Sequence, residues 1–197
     1  VYGKKTKQIL LENSFFQEEQ IEVVGNPRLN LYKKTHSLSK EKRGLLLFSS
    51  QPYEQDKKGV NYYESMRSYM KVLEEYANHN GMTFGIKLHP REEGVDTYRS
   101  MVPSAVIYES DAELYELLCK TWVHITANST VLYEAAVFDV PTITIRYLEY
   151  DTKQIFGKDV WEAGKPEDLY GYFNKLKKQT EYEKYLGYLK NITEDSM

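Results

Sequence analysis

The feature that most constrains this chain is a series of short, unbroken apolar runs separated by amphipathic stretches. Gly44-Leu45-Leu46-Leu47-Phe48-Ser49-Ser50 is the first of the series. It is continuous rather than alternating, as expected of a strand covered on both faces. Thr83 to Leu88, Ser104 to Tyr108, Trp122 to Thr126 and Pro141 to Ile145 follow. Pro141 opens its run, a position where a missing N–H is tolerated. Tyr62, Met66, Tyr69, Leu73 and Tyr76 recur at spacings of three and four, which predicts a helix from about Tyr62 to Asn80. Further helices are expected over Gly94 to Met101, over Ala112 to Lys120 with Asp111 as N-cap, and over Ser129 to Phe138. Five strands alternating with four helices predict an α/β class: a Rossmann-like, three-layer α/β/α domain with a mainly parallel sheet.

The flanks read differently. Residues 1–43 are expected to be a connecting segment, with a short helix near Thr6 to Glu12 and a strand from Ile21 to Val24. A turn at Gly25-Asn26-Pro27-Arg28 and a polar linker from Lys33 to Arg43 complete it. Residues 44–164 form the main domain, and residues 165–197, rich in Lys and Tyr, are helices expected to pack on it. The opening Val-Tyr-Gly-Lys-Lys is neither a signal peptide nor a start methionine, so the chain reads as a piece of something longer.

Charge and cysteine content narrow the function classes. With 26 Lys and Arg against 29 Asp and Glu, the formal charge is -3, which gives no support for a nucleic-acid partner. No stretch approaches the roughly 20 apolar residues a transmembrane helix needs. The single cysteine, Cys119, excludes an intramolecular disulfide framework and a cysteine-based zinc site. Within Leu117-Leu118-Cys119 it reads as a small buried hydrophobe. Asn128-Ser129-Thr130 and Asn191-Ile192-Thr193 match the N-glycosylation pattern, and both read as chance matches in a cytoplasmic protein.

Ligands of open α/β sheets bind beyond the carboxyl ends of the strands, so the strand exits are where chemistry is expected. Three are loaded: Ser49-Ser50-Gln51-Pro52, Lys87-Leu88-His89-Pro90-Arg91, and Thr126-Ala127-Asn128-Ser129-Thr130. In the third, a strand runs directly into small polar residues that open a helix. Its unpaired N–H groups and the Ser129 and Thr130 hydroxyls suit a phosphate. Glu134 lies one turn on, off the apolar stripe, where a carboxylate can accept from a ribose diol. The alternative is that Ser129 and Thr130 merely cap the helix and Glu134 is solvated. Pro90 keeps His89 out of helical geometry, projecting an imidazole able to donate to phosphate and, near its ordinary pKa of about 6.5, to carry charge. The alternative there is a turn histidine bonded to backbone. Lys87 and Arg91 add cationic character, although Lys87 alternates with its neighbours and can point elsewhere. His124, inside a strand, reads as a satisfied core histidine, and His36 and His79 carry no metal signal. Glu54-x-Asp56 and Glu149-x-Asp151 resemble divalent-ion pairs only superficially. No Gly-x-Gly-x-x-Gly, Walker or Gly-x-Ser-x-Gly sequence is present.

These segments together resemble the C-terminal, donor-binding domain of GT-B glycosyltransferases. The likeness is to the capsule and teichoic-acid type: CDP-glycerol glycerophosphotransferases and bacterial polysialyltransferase and Kdo-transferase relatives. Val23-Val24-Gly25-Asn26-Pro27-Arg28, Leu45 to Ser50, Lys87-Leu88-His89-Pro90, and Ile125 to Thr130 with Glu134-Ala135 and Val140-Pro141-Thr142 carry it. The resemblance implies one half of a GT-B fold in a bacterial enzyme of surface polysaccharide synthesis, cytoplasmic and compatible with peripheral membrane association. It implies a CMP-, CDP- or UDP-linked donor, a saccharide acceptor, no cofactor and no metal. His89 would be the catalytic residue, contacting the donor's phosphate or nucleotide. Ser129 and Thr130 would hold phosphates and Glu134 the ribose, with Ser49, Ser50, Lys87 and Asn128 also on the substrate. The chain departs from the teichoic-acid pattern, Asp-Tyr-Ser-Ser, at Ala127-Asn128-Ser129-Thr130. It also lacks the glycine pair that UDP-sugar 2-epimerases carry before the glutamate. An epimerase-like enzyme and a non-catalytic interaction module are the competing readings. The cleft of a GT-B enzyme lies between two such domains, so the first domain is an expected partner and this chain alone should be inactive.

Overall fold

A computed structural model describes residues 1, 3–27, 31, 43–51, 62–92, 94–146, 153 and 156–196. Its frame is a six-stranded, all-parallel sheet formed by β1 (Leu45–Ser49), β2 (Thr83–Lys87), β3 (Val106–Tyr108), β4 (Thr121–Thr126), β5 (Thr142–Ile145) and β6 (Glu162–Ala163). The strand order is β3-β2-β1-β4-β5-β6. The helices among the described residues are α1 (Lys4–Asn13), α2 (Tyr62–His79), α3 (Val95–Met101), α4 (Leu114–Lys120), α5 (Val131–Val137), α6 (Asp168–Leu176) and α7 (Gln179–Ser196).

Every residue of β1 is buried, which is why its run is continuous. Its side chains alternate between two clusters, as a period of two requires. Leu46 and Phe48 join one with Met70, Leu73, Val123, Ile125 and Phe173, on the side of α2 and α6. Leu45 and Leu47 join the other with Tyr115, Leu118, Ala135 and Phe138, on the side of α4. Helices therefore cover both faces, and the expected three layers are present.

Gly85 in β2 is demanded by packing. A Cβ there would stand 2.7 Å from Tyr108 Cε2 and 2.8 Å from Leu45 Cδ1. Gly85→Ala should cost about 1–3 kcal/mol through overpacking, read as a lower urea midpoint at unchanged slope; an unchanged midpoint would show that both neighbours yield freely.

Several local expectations are corrected. Residues 21–24 form no strand. The Val24 amide bonds Val1 O (3.0 Å), so this segment pairs with residue 1 rather than with the sheet. Asp111 is not an N-cap: α4 starts at Leu114, after Glu113, with no side-chain cap. Helix α5 starts at Val131, later than the pattern indicated. Strand β6 was not foreseen, because two residues carry no periodicity to read. Arg28 and most of the Lys33 to Arg43 linker lie outside the described residues. Arg43 itself donates to Asp139 O (2.7 Å) and Phe138 O (3.0 Å), closing the end of α5 where Asp139 adopts positive φ.

Candidate functional site

In this strand order the chain builds β1, β2 and β3 outward, then returns to place β4 on the other side of β1. The two halves diverge between β1 and β4, and such a switch point leaves a crevice beyond the strands' carboxyl ends. A cavity of about 360 Å³ lies there. Ser49 and Ser50 reach it from β1, Lys87 to Pro90 from β2, Ser110 to Tyr115 from the β3 exit, and Ser129, Thr130, Val131 and Glu134 from the β4 exit. Seven of the eight sequence candidates thus meet in one place. Asn128 is not among the lining residues, and among the described residues its buried Oδ1 has no partner. The acidic pairs at Glu54 and Glu149, and His36, lie outside the described residues.

The β2 exit is held by a group that sequence reading missed. Glu92 is buried, and its carboxylate accepts from the Ser50 hydroxyl, from Tyr63 OH and Tyr98 OH (3.2 Å each) and from the His89 amide (3.4 Å). The same His89 N–H lies 3.0 Å from Ser50 Oγ. Burial pushes the Glu92 carboxyl up, while hydrogen bonds from Ser50, the His89 amide, Tyr98 and Tyr63 pull it back. Within Arg91-Glu92-Glu93 nothing in the sequence sets Glu92 apart; only its contacts with β1 and α2 reveal its role. Ser50 is thereby committed to structure, tying β1 to the His89 loop.

His89 Nδ1 accepts from the Arg91 amide (3.2 Å), so a neutral ring keeps its proton on Nε2 and can donate from there. Desolvation, then Arg91 and Lys87, lower its pKa below the ordinary 6.5. Of the two protonation forms open to it, the lowered pKa favours the neutral donor at pH 7. Lys87 is buried and turned into the site, its ammonium donating to Leu88 O and Ser110 O (2.9 Å each). Desolvation lowers its pKa, opposed by Asp111 and Glu113. At the β4 exit, Ser129 Oγ accepts from the Val131 amide (3.3 Å), and Thr130 makes no side-chain cap. The Ser129 and Thr130 amides donate to nothing among the described residues. Among the described lining residues, Asp111, Glu113 and Glu134 stand with Lys87, so these residues give the cavity no net positive charge. An anion here would be held by N–H and O–H dipoles rather than by net charge.

Ser49 faces a different task. Its Oγ lies 2.9 Å from His124 Nε2, and His124 Nδ1 lies 3.0 Å from Thr142 Oγ1. His124 is wholly buried, and desolvation lowers its pKa to about 3. It is the satisfied core histidine that its strand position predicted, bridging β1, β4 and β5.

The parallel six-stranded sheet with its cavity at the β1/β4 divergence is a Rossmann-like domain of the GT-B kind. No family model matches the chain, and no curated protein does. Solved structures do. A UDP-N-acetylglucosamine 2-epimerase structure from Listeria monocytogenes superposes with TM-score 0.67 at 16% identity over 94% of this chain. The S. aureus MnaA–UDP co-structure gives 0.62 at 13% over 98%, and the wall teichoic acid polymerase TagF (H548A) 0.59 at 14% over 98%. The chain spans only about half of each, 52% in all three. At these identities the likeness establishes the fold.

Proposed function

We propose that this domain binds the nucleotide part of an activated sugar or polyol donor for a GT-B glycosyltransferase of surface polysaccharide synthesis. The observation that carries this reading is the convergence of His89, Ser129, Thr130 and Glu134 on one cavity at the switch point, which also argues against a bare interaction module. The Ser129 and Thr130 amides and hydroxyls hold phosphate oxygens. His89, neutral and protonated on Nε2, donates to the oxygen that gains charge as the donor bond breaks, the kind of aimed dipole that stabilises a departing phosphate. Glu134 accepts from the ribose diol. Structures of related fold solved with UDP or UDP-GlcNAc support a nucleotide-sugar ligand. The acceptor saccharide and the base that activates it belong to the rest of the enzyme.

Saturation-transfer NMR with CMP, CDP, UDP and GDP tests the reading, since it tolerates millimolar affinity. One nucleotide should respond selectively, and His89→Ala and Glu134→Ala should each weaken binding about tenfold with melting temperature nearly unchanged. A variant that unfolds yet keeps its nucleotide affinity would remove that residue from the site. A response to UDP alone would favour an epimerase-type enzyme, resolved by a product assay on the full-length protein. Turnover by this chain alone would overturn the half-enzyme reading.

A further inference from the structure

A second cavity, of about 530 Å³ and sharing no lining residue with the first, lies between residues 158–161, α6 and α7. One wall is aromatic. Trp161 stacks on Tyr185 at 3.8 Å and 2°, and on Tyr172 at 5.1 Å and 17°; Tyr185 stacks on Tyr188 at 6.4 Å and 16°. Backbone bonds pin this wall: Tyr185 OH donates to Thr142 O (2.6 Å) and accepts from the Trp161 amide (3.0 Å), and Tyr172 OH donates to Glu162 O (3.0 Å).

The rim is cationic. Lys158, Lys175 and Lys184 line the cavity and enter no ion pair among the described residues. Lys175 Nζ is poised 5.4 Å from the centroids of both Trp161 and Tyr172. Among the described lining residues, these three lysines stand against two acids, Asp159 and Glu181. The described residues of the switch-point cavity hold the opposite balance, one lysine and three carboxylates.

We infer that this cavity is a binding site for an acidic oligosaccharide, separate from the nucleotide cleft and independent of the reading given to that cleft. Ammonium groups spaced around a rigid aromatic wall match a chain that alternates carboxylates with apolar C–H edges of sugar rings. The volume suits one or two sugar residues. Charge supplies the encounter, and the wall supplies contact area without ordering entropy, because its rings are already fixed.

Trp161 is one of two tryptophans, so Trp122→Phe leaves it as a sole fluorophore at the site. In that background, titration with tetragalacturonate should change Trp161 emission saturably, with affinity falling as salt rises. Neutral maltotetraose should give no change. Lys175→Ala and Lys184→Ala, both at exposed positions, should each weaken binding about tenfold. Equal binding of maltotetraose, or affinities unchanged in both lysine variants, would overturn the inference. So would a response confined to anionic phosphatidylglycerol vesicles, which would make the patch a membrane contact. Should Trp122→Phe fail to fold, ligand-observed NMR on the unmodified chain reads the same comparison.

Discussion

Lowering the pH from 7 to 5 should remove on the order of 2 kcal/mol of this domain's stability through His124 alone. In the unfolded chain the ring has its ordinary pKa of about 6.5, whereas burial holds it at about 3 in the fold. Between those values the unfolded state binds a proton that the folded state refuses. The contribution is complete above about pH 6.5 and is lost progressively, near 1.4 kcal/mol per unit, as the pH falls towards 3. Protonation inside would make both ring nitrogens donors to the Ser49 and Thr142 hydroxyls and leave an unpaired charge in the core, which is the cost that burial imposes. Glu92, whose carboxyl is raised, pushes in the other direction above its unfolded pKa. The diagnostic quantity is therefore the difference in pH dependence between the native chain and His124→Asn, from urea unfolding at several pH values. Parallel curves would refute the assignment. A His124 ring resonance titrating near pH 6.5 in the native protein would do so independently of any variant.

Glu92→Ala should be the most damaging single change near the site, lowering stability by about 2–3 kcal/mol. It removes one buried acceptor shared by the Ser50, Tyr63 and Tyr98 hydroxyls and the His89 amide. Without the carboxylate that Ser50 and the His89 amide share, the His89 loop is held to β1 less tightly, and nucleotide affinity should fall about tenfold with it. Glu92→Gln separates the two effects. It keeps one oxygen for Tyr63 and Tyr98 but turns an NH2 towards the His89 amide, a donor facing a donor. Its stability should fall less than that of Glu92→Ala, while the His89 amide and ring resonances still shift. Unmoved His89 resonances in both variants would mean that Glu92 supports the core and not the loop. That outcome is independent of whether a nucleotide binds.

The sequence by itself determined the architecture. Five continuous or near-continuous apolar runs alternating with period-3.6 segments leave few solutions other than a parallel sheet covered on both faces, because each strand must bury two sides at once. It also marked the three loaded strand exits, because proline and small polar residues stop strands for local steric reasons. It was silent where partners are distant in the chain. Glu92 reads as one of a charged pair until β1 brings Ser50, 42 positions away in sequence, to its carboxylate. Asn128 and Ser129 are adjacent, yet only Ser129 lines the cavity, since the turn before α5 sends neighbouring side chains in different directions. The residue 21–24 run has strand chemistry yet joins no strand of the sheet, so its propensity found no use. The charge state of His89 and the depth of His124 were likewise set by tertiary burial, because desolvation depends on everything packed around a ring and not on the residues that flank it.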